Sequence, residues 1–201
     1  MKNIGVIYGG HDAHYRTFHE SKFNQYISKI IYHPEFLNAD ISDLDVLIVP
    51  SQLNGNLLLQ SKDKIISFAE EGGTVVALGP QPWEWIPGQN WEFRPANFWW
   101  WLEENPRSGL ILSSPEHSLF TKYLTLKECT WHQHGVFWAP SGAEVLISTE
   151  DGGAVMYEER LESGGRWLVT TLDPDYHFGS YFMPVTERFL EGFFPYLKDG
   201  R

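Results

Sequence analysis

A chain of 201 residues with 15 Lys and Arg against 26 Asp and Glu carries a formal charge of -11, which argues against a nucleic-acid binder built on clustered cations. Its 42% hydrophobic and 20% charged residues are those of a folded globular chain, and the length suits one domain, residues 1–201, rather than two. No apolar run approaches the roughly 20 residues that cross a bilayer, and no signal-peptide core precedes the first strand pattern, so the expectation is a cytoplasmic protein without a membrane partner.

The first apolar run, Asn3 to Tyr8, reads as a buried strand that breaks at Gly9-Gly10. Phe23, Tyr26, Ile27 and Ile30 recur at spacings of three and four, which predicts a short helix between Phe18 and Ile30 that merges into the strand-like Ile30-Ile31-Tyr32. Asp45 to Pro50 is a strand apolar on both faces, as a parallel strand covered by helices should be. Ser61 is positioned to cap a helix with Ile65, Ile66, Phe68 and Ala69 on its apolar face, ended by Gly72-Gly73 before a buried strand over Thr74–Leu78. Strand, helix, strand with short connections implies a right-handed crossover and a parallel sheet.

From Gln81 to Trp101 six of the nine tryptophans crowd among prolines and glycines, marking residues 81–108 as an insertion, lid or contact surface. Beyond it come a strand at Leu110–Leu112 and a stronger one at Glu144–Ser148. A hairpin turn at Asp151-Gly152-Gly153 leads to a returning strand at Ala154–Tyr157. Arg166–Leu172 is the last buried strand, and Pro184 opens a helix carrying Val185, Phe189 and Phe193 that Pro195 closes. The predicted architecture is an α/β, flavodoxin-like three-layer sandwich with a mainly parallel central sheet, a Trp-rich insertion and a β-hairpin.

Asp45–Pro50, Ile65–Glu71 with Gly72–Gly79, and Gly165–Asp173 ahead of the final helix together resemble the class I glutamine amidotransferase-like superfamily. Within it they are most similar to the branch of trehalose-utilisation-type proteins and the middle domain of some β-galactosidases. The resemblance spans most of the chain. In catalytic members of that family a cysteine sits on the tight turn after the strand equivalent to Thr74–Leu78, where a helix start and backbone donors activate it. Here the turn reads Gly79-Pro80-Gln81-Pro82, and the family's histidine and glutamate after the last strand are replaced by Asp173-Pro174-Asp175. The resemblance thus implies the fold without glutamine hydrolysis, and a link to carbohydrate metabolism. Cys129, the one thiol, excludes a disulfide framework and lies outside any strand-to-helix elbow; it reads as a small buried apolar residue, with His132 nearby as the single feature that keeps a nucleophile open.

Ligands of open parallel sheets collect at the carboxyl ends of the strands. The loops expected there are Gly9–His14, Ser51-Gln52, Gly79-Pro80-Gln81 and Asp173–His177. Gly9, Gly10, Gln52, Gln81 and Trp83 are the candidate ligand contacts, and His11, Asp12, His132, Asp175 and His177 the candidate acid, base or catalytic groups. The first loop equally reads as a plain glycine turn with solvated histidines, and Asp-Pro-Asp as a turn and cap. On a strand, His132 and His134 would face one side and could share a divalent metal with Asp173, Asp175 or His177. The tryptophans suit a sugar-stacking lid, core filling or a contact between protomers, the last implying a homo-oligomer. The expected partner is a small polar molecule such as a sugar.

Overall fold

The computed structural model describes residues 1–96 and 98–199. Five parallel strands form its centre: β1 (Ile4–Tyr8), β2 (Lys29–Tyr32), β3 (Val46–Val49), β4 (Thr74–Leu78) and β10 (Arg166–Thr170), in the spatial order β2-β1-β3-β4-β10. The antiparallel extension follows, with β9 (Ala154–Arg160) beside β10 and β8 (Glu144–Thr149) and β7 (Gly135–Phe137) beside β9. The short strands β5 (Trp91–Phe93) and β6 (Leu110–Leu112) pair with β7 and β8.

Because successive strand residues point to opposite faces, each central strand feeds two cores. Val6, Ile48, Val76, Leu78 and Leu168 pack on one face against Phe18, Phe23 and the apolar stripe Phe189, Phe193, Phe194 and Leu197 of helix α5 (Val185–Asp199). Ile7, Leu47, Val49, Val75, Ala77 and Val169 pack on the other against Leu58, Ile65, Phe68 and Ala69 of helix α2 (Gly55–Glu70) and against Phe36 and Trp85. This is the predicted three-layer α/β sandwich, and residues 110–112, 144–149 and 154–160 adopt the expected strands and hairpin.

Three local expectations are corrected. The region Phe18–Ile30 is not one helix: a single turn, α1 (Asp12–Tyr15), runs into a π turn at Arg16–Glu20 and then a 3-10 turn at Lys22–Tyr26. Ser21 resets the chain there by accepting the Phe23 N–H on its hydroxyl. Helix α2 begins six residues before Ser61, capped by Asn54, whose side chain accepts the Leu57 N–H at 3.1 Å, while Ser61 returns its own hydroxyl to the Leu57 carbonyl. Pro195 lies inside α5, which continues to Asp199.

The Trp-rich insertion divides in two. Gln81 is buried, its amide nitrogen donating to the Leu78 carbonyl and its Oε1 accepting the Trp85 indole N–H at 2.7 Å, so Trp85 is drawn fully into the core beside Trp167. Trp99, Trp101 and Leu102 lie exposed around a 3-10 turn at Trp100–Leu102. No helix among the described residues is long and apolar enough to cross a membrane.

Candidate functional site at the carboxyl ends of the strands

Strands β1, β3, β4 and β10 are consecutive neighbours and parallel, so the chain leaves all four on the same side of the sheet. The loop after β1 and the loop after β3 are joined through His14. The Gly9 N–H donates to His14 Nδ1 at 3.2 Å, so in the neutral ring the proton sits on Nε2, which lies 2.9 Å from the Ser51 carbonyl and 3.2 Å from Asp175 Oδ2. Asp175 Oδ2 also accepts from the Ser51 N–H at 3.1 Å and the Ser51 hydroxyl at 2.9 Å, and Thr17 donates its hydroxyl to the Asp175 carbonyl. His14 and Asp175 are wholly buried, and Asp175 Oδ1 has no hydrogen-bond partner among the described residues. This knot ties α1 to α4 (Pro174–Gly179). The two helices close tightly because Gly179 faces the Ala13 carbonyl, where a Cβ would come within 2.0 Å.

The turn after β4 is fixed with equal stringency. Gly79 has φ +82°, its N–H donates to the Leu172 carbonyl, and a Cβ there would meet the Ser51 Cβ at 2.5 Å and the Asp173 Cβ at 3.3 Å. A side chain at this bend is opposed by both backbone conformation and space. Cys129 is elsewhere, fully buried in the core with its thiol pushed well up by burial, which keeps it neutral and unreactive.

A second histidine–aspartate pair stands beside the first. His177 Nε2 lies 3.2 Å from Asp173 Oδ1, which also takes the Trp131 indole N–H at 3.3 Å. Against His177 pack His132 at 4.7 Å between ring centroids and Phe182 at 5.6 Å; Phe98, tilted, and His134, edge-on, pack on His132 at 4.6 and 5.2 Å. Burial first, and then the neighbouring His177, push His132 down to about 4, so it is neutral at physiological pH. Residues 131–134 are not a strand, and the two imidazoles approach each other on the connection leading into β7. No group of three His, Cys, Asp or Glu with metal-holding geometry occurs among the described residues. The expected His132–His134 metal pair thus lacks a third ligand in this arrangement.

The accessible part of this end of the sheet is an open hollow of ≈ 590 Å³ lined by His11, Asp12, Arg16, Gln52, Tyr176 and Ser180. The His11 ring packs at a tilt on His14 at 3.7 Å and is held below its ordinary pKa by burial and then by His14; its Nε2 is buried without a hydrogen-bond partner among the described residues. Arg16 donates to Asp12 Oδ2 at 3.2 Å and to the Gly179 carbonyl at 3.0 Å. Gln52, in the left-handed region at φ +57°, lines both this hollow and a smaller one of ≈ 160 Å³ shared with Gln81 and Trp83. The Trp83 ring covers Gly55, the first residue of α2, so closely that a Cβ there would lie 2.0 Å from it. Gly10, at φ +86°, turns the chain beneath Tyr32.

Of the residues singled out from sequence, His11, Asp12 and Gln52 line the larger hollow, and Gln81 and Trp83 the smaller. Asp175 is sealed beneath the larger, and His132, His134 and His177 form the adjoining cluster. Gly9 spends its amide on His14. His14, Ser51, Arg16 and Tyr176 complete the constellation without having been picked out as site residues, since only the fold brings them together.

No family model matches the chain, and no curated protein matches it. Solved structures do. A glutamine amidotransferase from Thermotoga maritima superimposes over 98% of this chain and 84% of its own, with a TM-score of 0.58 and 9% identity. A candidate GMP synthase component from Thermoplasma acidophilum covers 99% and 96% (TM-score 0.52, 12% identity), and the N-terminal domain of mmIFT52 covers 94% and 93% (TM-score 0.52, 7% identity). The chain therefore has the glutamine amidotransferase-like fold. At these identities the likeness is one of architecture.

Proposed function

We propose that this is an amidotransferase-like domain without glutaminase activity that binds or processes a small polar ligand at the carboxyl ends of its strands, the ligand being linked to carbohydrate metabolism. The observation that carries the reading is the hollow's lining: the imidazole of His11, the Asp12–Arg16 pair, the Gln52 amide, the Ser180 hydroxyl and the ring of Tyr176 border one concavity. Alternating donors and acceptors beside an aromatic face suit a polyhydroxylated molecule, whose vicinal hydroxyls bridge such pairs while its C–H face rests on the ring. The carbohydrate assignment follows from the sequence resemblance to the trehalose-utilisation branch.

Two further observations support the absence of glutaminase chemistry: Gly79 occupies the bend after β4, and Cys129 is buried in the core. In a catalytic form of the reading, His11 and Asp12 are the acid or base groups toward the substrate, while Asp175 acts through His14, against which His11 packs, as a positioning residue. His177 and His132, with Asp173, form the adjoining wall. Calorimetric titration of the chain with a panel of mono- and disaccharides tests this. Binding that falls about tenfold or more in Asp12→Ala and Gln52→Ala is expected, and absence of binding across the panel contradicts it.

A second reading, a homodimeric assembly module, is favoured by the exposed aromatic face of Phe93, Phe98, Trp99, Trp101 and Phe182. Light scattering distinguishes the two: a dimer dissociated by Trp101→Ser supports assembly through this face, and a concentration-independent monomer removes it.

A further inference from the structure

At the opposite, amino-terminal end of the sheet lies a second hollow of ≈ 330 Å³, lined among others by Lys2, Arg160 and Arg166 together with the glycine turns at Gly72-Gly73 and Gly164. It shares no lining residue with the hollows at the carboxyl ends. In a chain with a net charge of -11, three cations converging on one concavity are unexpected.

Their compensation is incomplete. Arg166, 4% exposed, donates through Nη1 to Glu158 Oε2 at 3.1 Å and to the Tyr196 hydroxyl at 3.0 Å, but its Nη2 is buried with no hydrogen-bond partner among the described residues. Arg160 Nη2 lies 2.5 Å from Glu158 Oε1. One buried carboxylate therefore serves two guanidinium groups, and Tyr196 and His117 add further polar contacts to that same carboxylate. Lys2, half-buried, stands beside them, and its pKa is lowered by burial and then by the charge of Arg166. The acids lining the hollow, Asp45 and Glu71, are exposed, and Asp45 Oδ2 already accepts the Asn3 N–H. A buried guanidinium nitrogen without an acceptor is costly, and an oxyanion is the group that removes the cost.

We infer that this hollow is a binding site for the oxyanion group of a small molecule, a phosphate or a carboxylate, held between the Nη2 of Arg166 and the ammonium of Lys2 with Arg160 at its mouth. The glycine turns in its wall have no side chains to fill it; Gly72 and Gly164 sit at φ +102° and +89°, where larger residues are strained. Glu158 holds Arg166 in place from behind, and the anion supplies the acceptor that Arg166 Nη2 lacks.

The test is a ¹H–¹⁵N NMR titration of the whole chain with inorganic phosphate and, separately, with malonate, each against sodium chloride at matched ionic strength. Saturable shifts at Lys2, Gly72-Gly73 and Gly164 are expected, and the probe that binds more tightly identifies the headgroup. Lys2→Met weakens that binding by about tenfold, as does Arg160→Gln, whereas Arg94→Gln, remote from the hollow and paired with Asp151, leaves it unchanged. Lys2→Met spares the Glu158 network, so a folding defect in Arg160→Gln leaves the test intact. Shifts no different from those in sodium chloride, or saturable binding that neither Lys2→Met nor Arg160→Gln weakens, overturn the assignment. The outcome is independent of any ligand at the carboxyl ends.

Discussion

The two histidine–aspartate pairs sit side by side at one end of the sheet, two residues apart at Asp173 and Asp175, yet they are built differently. In the His14–Asp175 pair both imidazole nitrogens are engaged and the shared carboxylate oxygen takes three neighbours from two loops. In the other, neither nitrogen of His177 makes a well-formed hydrogen bond, and its neighbours are aromatic rings and a neutral His132. The first is a knot holding the loops after β1, β3 and β10 in register. The second is a loosely satisfied cluster, the kind of polar arrangement that retains capacity for a ligand or a proton.

That difference can be broken experimentally. The largest effect is expected for Asp175→Ala, which strands the Ser51 donors and His14 inside the protein and costs about 3–5 kcal/mol in urea denaturation. Gly79→Ala comes next, at about 2–4 kcal/mol, because the added methyl meets Ser51 while the backbone is held at φ +82°. Asp173→Asn, which keeps an acceptor for the Trp131 indole, is expected to cost about 1 kcal/mol. A loss as large as that of Asp175→Ala would erase the distinction between the pairs.

A separate effect is on pH dependence. His132 titrates near 4 when folded and near its ordinary value of about 6.5 when unfolded, so between those limits the unfolded chain binds the extra proton. Stability therefore falls as pH drops from about 6.5 towards 4. His132→Leu removes that proton's share, and its melting temperature should decline less steeply over the same window.

Much of the fold is legible in local pattern. The runs at 46–49, 74–78 and 166–170 are apolar on both faces because both faces are covered, and that signal survives without any knowledge of neighbours. Where local pattern misleads, a long-range or backbone effect decides. Ser61 looks like a cap, but α2 begins at Gly55 beneath Trp83 and is capped by Asn54. Pro195 looks like a stop but lies in a helix whose apolar face is anchored on the sheet by Phe193, Phe194 and Leu197. At the site, the polar loops could be named from their places after strands. His14 and Ser51 could not be assigned their roles, because the knot exists only once residues 37 and 124 positions apart meet. Composition likewise offers no way to separate Trp85, bound by Gln81 into the core, from Trp99 and Trp101 on the surface.

At its centre stands the claim that the carboxyl end of this sheet keeps an amidotransferase-like framework without a thiol able to act there. Incubation of the whole chain with L-glutamine and measurement of released ammonia tests it most directly. No release above the protein-free rate is predicted, and an unchanged rate in Cys129→Ser; turnover of glutamine that Cys129→Ser abolishes would contradict it.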